Sequence, residues 1–309
     1  MFKKQRSILL LFQIMVCYIL HSQNYFVSNI NNNLSFTNPS YVLFNEYALI
    51  QLNYRNQWPI SNMYTSYGSA YFHHADRLNS NFGAILNYDN TYKGTFTNVG
   101  LGLNYAYKLQ VGRRSHLLFG LQGFYRLSSN NYSNLTFENP TAFQPVNENQ
   151  WGPAIHSGLG LLLPEKHFIG ISVNNIVNSS TEFGSSRLYG LNYVGRVKIR
   201  GYYNEFSFEP LGSISSDLSY VQFQYGANID YAGLKGGLLI NQVNTQFTAL
   251  IILLGISFEN YEFVYTYDLN LSGAPTLNPK MAAHEVTFLR KFQYKGRRNK
   301  RGAIKCPDI

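Results

Sequence analysis

Charge, cysteine and long apolar runs are all scarce in this chain. Of its 309 residues only 13% are Asp, Glu, Lys or Arg, about half the roughly 25% of an ordinary soluble domain, which argues against a plain cytosolic enzyme. Cysteine occurs twice, at Cys17 and Cys306. If the leader carrying Cys17 is removed, Cys306 is left alone, and one thiol builds no internal disulfide framework. After the leader no apolar stretch approaches the ~20 residues that a transmembrane helix needs; the best, Ala249 to Ile256, is far shorter. Membrane residence, if real, must therefore use strands. The formal charge of +9 sits at the ends. Lys3, Lys4 and Arg6 carry three units, and the last fifteen residues, six cations against Asp308, carry five. A single positive charge is left for everything between, so the body has no basic face for nucleic acid.

Aromatics are abundant, with 25 Tyr and 22 Phe, too many for a solvated coil. A basic start, an apolar run from Ile8 to Leu20 and then His21-Ser22-Gln23 read as a signal peptide over residues 1–22 that is cleaved on export. Ile14-Met15-Val16 before Cys17 lacks the small residue that precedes a lipidated cysteine. Beyond residue 45 the dominant period is two. Val99, Leu101, Leu103, Tyr105, Tyr107 and Leu109 alternate with Asn98, Gly100, Gly102, Asn104, Ala106 and Lys108. Near 221–231 Val, Phe, Tyr and Ile alternate with Gln, Gly, Asn and Asp, and near 48–57 Ile50, Leu52 and Tyr54 alternate with Gln51, Asn53, Arg55 and Gln57.

Segments near 64–74, 81–89, 115–128, 154–163, 167–174, 188–200, 204–209, 233–241, 246–258, 261–270 and 283–294 repeat the theme, which makes about fourteen strands. Most are near the 9–11 residues that cross a bilayer when tilted. A β-sandwich alternates too, but three features favour lipid. The apolar face ends in rings, as at Tyr105, Tyr107, Tyr125, Tyr193, Tyr265, Tyr267, Phe292 and Tyr294, as interfacial girdles do. The other face carries Gly, Ser, Asn and Gln in place of Lys and Glu. Tight links at 163–166, 231–233 and 259–260 alternate with long ones at 129–152, 176–187 and 272–282, the pattern of periplasmic turns and outer loops. The fold expected is all-β: a transmembrane antiparallel outer-membrane β-barrel spanning 46–294, with 23–45 as a periplasmic lead-in or partial plug and 295–309 as a basic periplasmic tail.

Chemistry is harder to find. His73 and His74 are adjacent on a strand and point to opposite faces, so they do not share one metal without a bend. No G-x-S-x-G, HExxH or spaced cysteine set occurs; a serine site assembled from distant strands stays open. No cofactor and no catalytic residue is expected. Arg55, Arg126, Arg196, Lys198 and Arg200 fall on polar faces, either to tune passage of a solute or to pair with carboxylates that brace the wall or a plug.

Three passages resemble the PorP/SprF family of outer-membrane proteins associated with type IX secretion in Bacteroidota. They are Leu34-Ser35-Phe36-Thr37-Asn38-Pro39-Ser40-Tyr41, where Ser40 stands in place of the family's usual alanine; Tyr54-Arg55-Asn56-Gln57-Trp58; and His284-Glu285-Val286 followed by a basic tail ending near Cys306-Pro307. The resemblance implies a fourteen-stranded barrel in the cell outer membrane that supports export or surface anchoring of type IX cargo, often gliding adhesins. It also implies contact with the periplasmic ring or peptidoglycan-associated components of the machinery.

Physically, Asn38-Pro39 imposes an extended or turn geometry before the first strand, either as an ordered lead-in or as a turn that merely starts that strand. Arg55 faces the lumen and is suited to fork onto a carboxylate or onto backbone carbonyls of the lead-in, while Trp58 suits an outer rim. In the tail, Arg297, Arg298 and Lys305 offer charge to an acidic partner, and Cys306-Pro307 offers a short apolar clip. The competing expectations are an outer-membrane diffusion channel for small or hydrophobic solutes and an outer-membrane hydrolase.

Overall fold

A computed structural model describes residues 28, 30–44, 47–59, 63–134, 146–178, 187–200, 205–217, 220–271 and 282–292. The expected signal peptide and the tail with Arg297, Arg298, Lys305, Cys306 and Pro307 lie outside these residues.

Helix α1 (Ile30–Thr37) and a 3-10 turn over Pro39–Phe44 come first. Fifteen strand segments follow: β1 (Ala48–Gln57), β2 (Tyr64–Ala75), β3 (Ser80–Thr91), β4 (Phe96–Gln110), β5 (His116–Asn130), β6 (Glu148–Leu163), β7 (His167–Asn178), β8 (Leu188–Val194), β9 (Val197–Arg200), β10 (Glu205–Ser216), β11 (Val221–Tyr231), β12 (Leu234–Val243), β13 (Gln246–Phe258), β14 (Tyr261–Asn270) and β15 (Ala283–Phe292). Apart from β8 and β9, which both pair with β10, each pairs antiparallel with its sequence neighbours, and β1 pairs with β15 from Ala48↔Phe292 to Gln57↔Ala283, so the sheet closes on itself. Closure removes both edges of the sheet, so its strands find ladder partners on either side.

The count is fourteen, because β8 and β9 are two parts of one wall strand. Both pair with β10 in a single register, Leu211↔Val194 on one side and Phe208↔Val197 on the other. The break at Gly195 and Arg196 faces Pro210. Gly195 donates its N–H to the Pro210 carbonyl (2.8 Å), but proline has no N–H to return the bond. The same proline interrupts the alternation and suggests an end near residue 209, whereas β10 runs on to Ser216. β6 likewise begins at Glu148, six residues before the sequence pattern becomes regular, so the link from β5 shrinks to 131–147.

Alternation puts Leu101 (61% exposed) and Leu103 (70%) on the outside, while Asn104, Ala106 and Gln122 are buried within. Outward positions of the described strands carry no Asp, Glu or Lys and a single Arg, Arg290. Rings gather toward both ends of this apolar band. Tyr54, Tyr67 and Tyr88 stand side by side at one end (centroids 5.0 and 5.8 Å apart), and Phe258, Tyr261 and Phe288 do so at the other (5.7 and 6.2 Å). At the second end the described links, such as Ala232-Gly233 and Glu259-Asn260, are tight. Positive φ at both Ala232 (53°) and Gly233 (85°) gives the primed hairpin turn that matches strand twist. The long links 131–147, 179–187 and 271–282 are all at the first end.

Candidate functional site

The lumen is occupied by the chain's own lead-in. Leu34, Asn38, Ser40 and Leu43 are fully buried there, and Ile30 packs on Leu211, Leu239 and Ile251 of the opposite wall. Ser28 lies near the long-loop end; α1 descends from it, and the 3-10 turn delivers the chain to the start of β1 at the short-turn end.

Asn38 and Pro39 meet the wall on a bed of glycines. A Cβ at Gly120 of β5 would strike the Pro39 carbonyl and the Ser40 nitrogen; one at Gly158 of β6 would strike Asn38 Oδ1 and Pro39 Cδ; one at Gly170 of β7 would come within 2.6 Å of Asn38 Nδ2. Absence of side chains on three adjacent strands thus makes the space that the Asn-Pro backbone fills. Asn38 Oδ1 accepts from both the N–H (3.1 Å) and the Oγ (2.8 Å) of Ser40. Its Nδ2 donates to Asn192 Oδ1 (3.4 Å). The hydroxyl that Ser40 carries in place of alanine therefore finds a partner inside the motif. Tyr41 stacks on Phe44 (5.0 Å) and meets Phe168 edge-on (5.0 Å), and Arg196 lies over the Phe44 ring (5.6 Å) while bonding Glu209.

The second anchor is charged. Arg55 and Glu285 are directly opposed across the β1–β15 seam, and Arg55 forks between Asp268 (2.8 Å) and Glu285 (3.4 Å), all three side chains nearly or wholly buried. Gln57 Oε1 also accepts from Arg55 (3.3 Å). Two carboxylates around one guanidinium leave an excess negative charge, and the lead-in answers it. Ser28 donates its N–H to Glu285 Oε2 (2.6 Å) and its hydroxyl to Asp268 (2.8 Å), and Asn33 Nδ2 donates to Glu285 Oε1 (2.8 Å). From the wall, Asn53 donates to Glu285 (3.0 Å), Gln51 to Asn33 Oδ1 (2.6 Å) and Gln224 to the Ser28 carbonyl (2.8 Å). Buried charges are tolerated when paired and hydrogen-bonded in this way.

The residues singled out in the sequence therefore divide. Asn38, Pro39, Tyr41, Arg55, Gln57 and Glu285 converge on the lead-in. Of the two kinds of partner open to Arg55, carboxylates are among those it takes. His284 faces outward in the ring belt, 2.7 Å from the Tyr265 hydroxyl. Trp58 sits at the long-loop rim, where its backbone N–H donates to the Ala282 carbonyl (2.9 Å). Asp268, Ser28, Asn33, Gln51 and Gln224 had not been singled out; of these Asp268 is marked by its lumen parity in the strand 261–270.

Arg126 bonds Asn175 (2.9 Å) and His156 (3.0 Å), which braces the wall. Lys198 is exposed near the short-turn rim, and the Arg200 side chain lies outside the described residues. His73 turns outward to Tyr71, whereas His74 is buried and lies 2.9 Å from Asp76. Among the described residues no group of three or more His, Cys, Asp or Glu is arranged to hold a metal ion.

Among solved structures the chain is similar to CdiB from Acinetobacter baumannii (TM-score 0.41, 7% identity, 79% of this chain) and to the transport unit of the autotransporter AIDA-I from Escherichia coli (TM-score 0.23, 10% identity, 81% of this chain and 91% of that one). It spans 60% of the CdiB chain. No curated protein matches it. A family model described as type IX secretion system membrane protein PorP/SprF matches residues 19–289. Both members of the Arg55–Glu285 pair and the whole lead-in fall within that match, so the closed, lipid-faced barrel is an outer-membrane one and the chain belongs to the PorP/SprF family of type IX secretion membrane proteins.

Proposed function

We propose that this barrel is an anchoring accessory of type IX secretion: its outer loops hold a secreted cargo of the gliding-adhesin kind, and its basic tail engages an acidic component of the periplasmic ring or of the peptidoglycan-linked machinery. The observation that carries the reading is the occupied lumen. Residues 30–44 cross the bore and pack on both walls, and Ser28 and Asn33 donate to its buried carboxylates, so the segment acts as a plug and the barrel offers loops and tail to partners instead of a free path to solutes. In this reading residues 1–22 are removed on export, the short-turn end faces the periplasm, and the role is mechanical, not catalytic. The family supports service to type IX secretion in general.

The test uses the tail. Deleting residues 295–309 should leave a heat-modifiable barrel in the outer membrane and abolish co-purification of the periplasmic partner. Undiminished recovery would refute the assignment of the tail.

A further inference from the structure

Arg290 is the one charged residue on the lipid-facing positions of the described strands. It lies near the short-turn end of β15, exposed, with its guanidinium over the rings of Tyr261 (5.4 Å) and Phe292 (4.8 Å). A charge on that surface is costly in hydrocarbon and settles at the interface, where the headgroups are. Directly above it, toward the bilayer centre, the outer faces of β12–β15 form an open groove of about 510 Å³ lined by Leu234, Leu254, Ile256, Phe263, Tyr265 and Val286. One glycine keeps its flank open: Gly236, paired with Leu254 on the lipid face, has only Ile229 near the position a side chain would take. Val286 is four residues up the strand from Arg290, on the order of 13 Å, which is the reach from a lipid phosphate well into an acyl chain.

We propose that this surface is a binding site for one glycerophospholipid, its phosphate on Arg290 and one acyl chain in the β12–β15 groove. The cation selects the phosphate by charge-assisted hydrogen bonding, its position over two rings restrains the guanidinium, and the groove adds apolar contact that a bulk lipid finds nowhere else beside a charge. The proposal rests on the transmembrane barrel and not on the secretion role.

Full-length barrel in detergent, titrated with dioleoyl phosphatidylglycerol and followed by native mass spectrometry, tests it. The unaltered protein should retain one lipid. Arg290→Ala, Arg290→Gln and Val286→Trp, each checked for folding by heat-modifiable migration, should each retain it about tenfold less tightly, and glycerol 3-phosphate, a headgroup without chains, should not bind. No lipid on the unaltered protein, undiminished retention in any folded variant, or glycerol 3-phosphate binding as tightly as the lipid overturns the proposal.

Discussion

At the scale of single residues, Arg55 is where wall and lead-in share one electrostatic problem. Its guanidinium faces two buried carboxylates, and the remaining negative charge is met by N–H and O–H donors from Ser28 and Asn33. Removing the cation strands both acids, and breaking a buried ionic group from one side costs about 3–5 kcal/mol. Arg55→Met should therefore lower sharply the temperature at which the barrel loses heat-modifiable migration. Glu285→Gln should be milder, about 1–2 kcal/mol, because it leaves Arg55 with Asp268 as a neutral pair and keeps an acceptor for Asn33. Equal losses in the two variants would mean that shape at the β1–β15 seam matters and charge balance does not. The inward direction of Arg55 was legible from the parity of residues 48–57. Its choice of partners was not, because that depends on β1 meeting β15, a pairing of residues more than two hundred positions apart.

At the scale of elements, the lead-in and its glycine bed act together. The sequence marks Gly120, Gly158 and Gly170 only as small residues on the polar face. Why they are small becomes visible once Asn38, Pro39 and Ser40 are seen to occupy the place of the missing side chains. Gly158→Val should suit the strand itself, since β-branched residues favour sheets, yet collide with Asn38 and Pro39. The expected outcome is a folded barrel in which amides of residues 38–44 lose protection from hydrogen exchange. Gly123→Val is the control, because nothing lies within 4 Å of its Cβ position, and it should leave that protection intact. Most strand positions could be read from period two, because lipid outside and polar packing inside impose opposite demands on successive residues. The reading faltered where that contrast fades: at Pro210, which ends the pattern but not the strand, and at 148–153, where the strand begins before the alternation has become regular.

For the molecule as a whole, the wall and its filling have separate sources of stability, and that separation is testable. Fourteen strands closed through β1 and β15 satisfy one another's backbone groups, so the wall does not need residues 30–44 to complete a ladder. The lead-in gains its hold from side-chain packing and from donors to Glu285 and Asp268. Deleting 30–44 should thus cost stability without preventing closure, and should leave a bore lined by polar residues such as Gln51, Asn104, Gln122 and Asn192 alongside Phe72, Leu118, Phe124 and Phe168, which water enters once the segment covering those rings is gone. In planar bilayers the full chain is expected to be silent, whereas the deleted form should show steady, ohmic conductance. A steady current from the intact protein would restore the diffusion-channel reading. Silence from a deletion variant that still migrates as a heat-modifiable barrel would show that something other than the lead-in closes the lumen, and the anchoring role would lose the observation on which it stands.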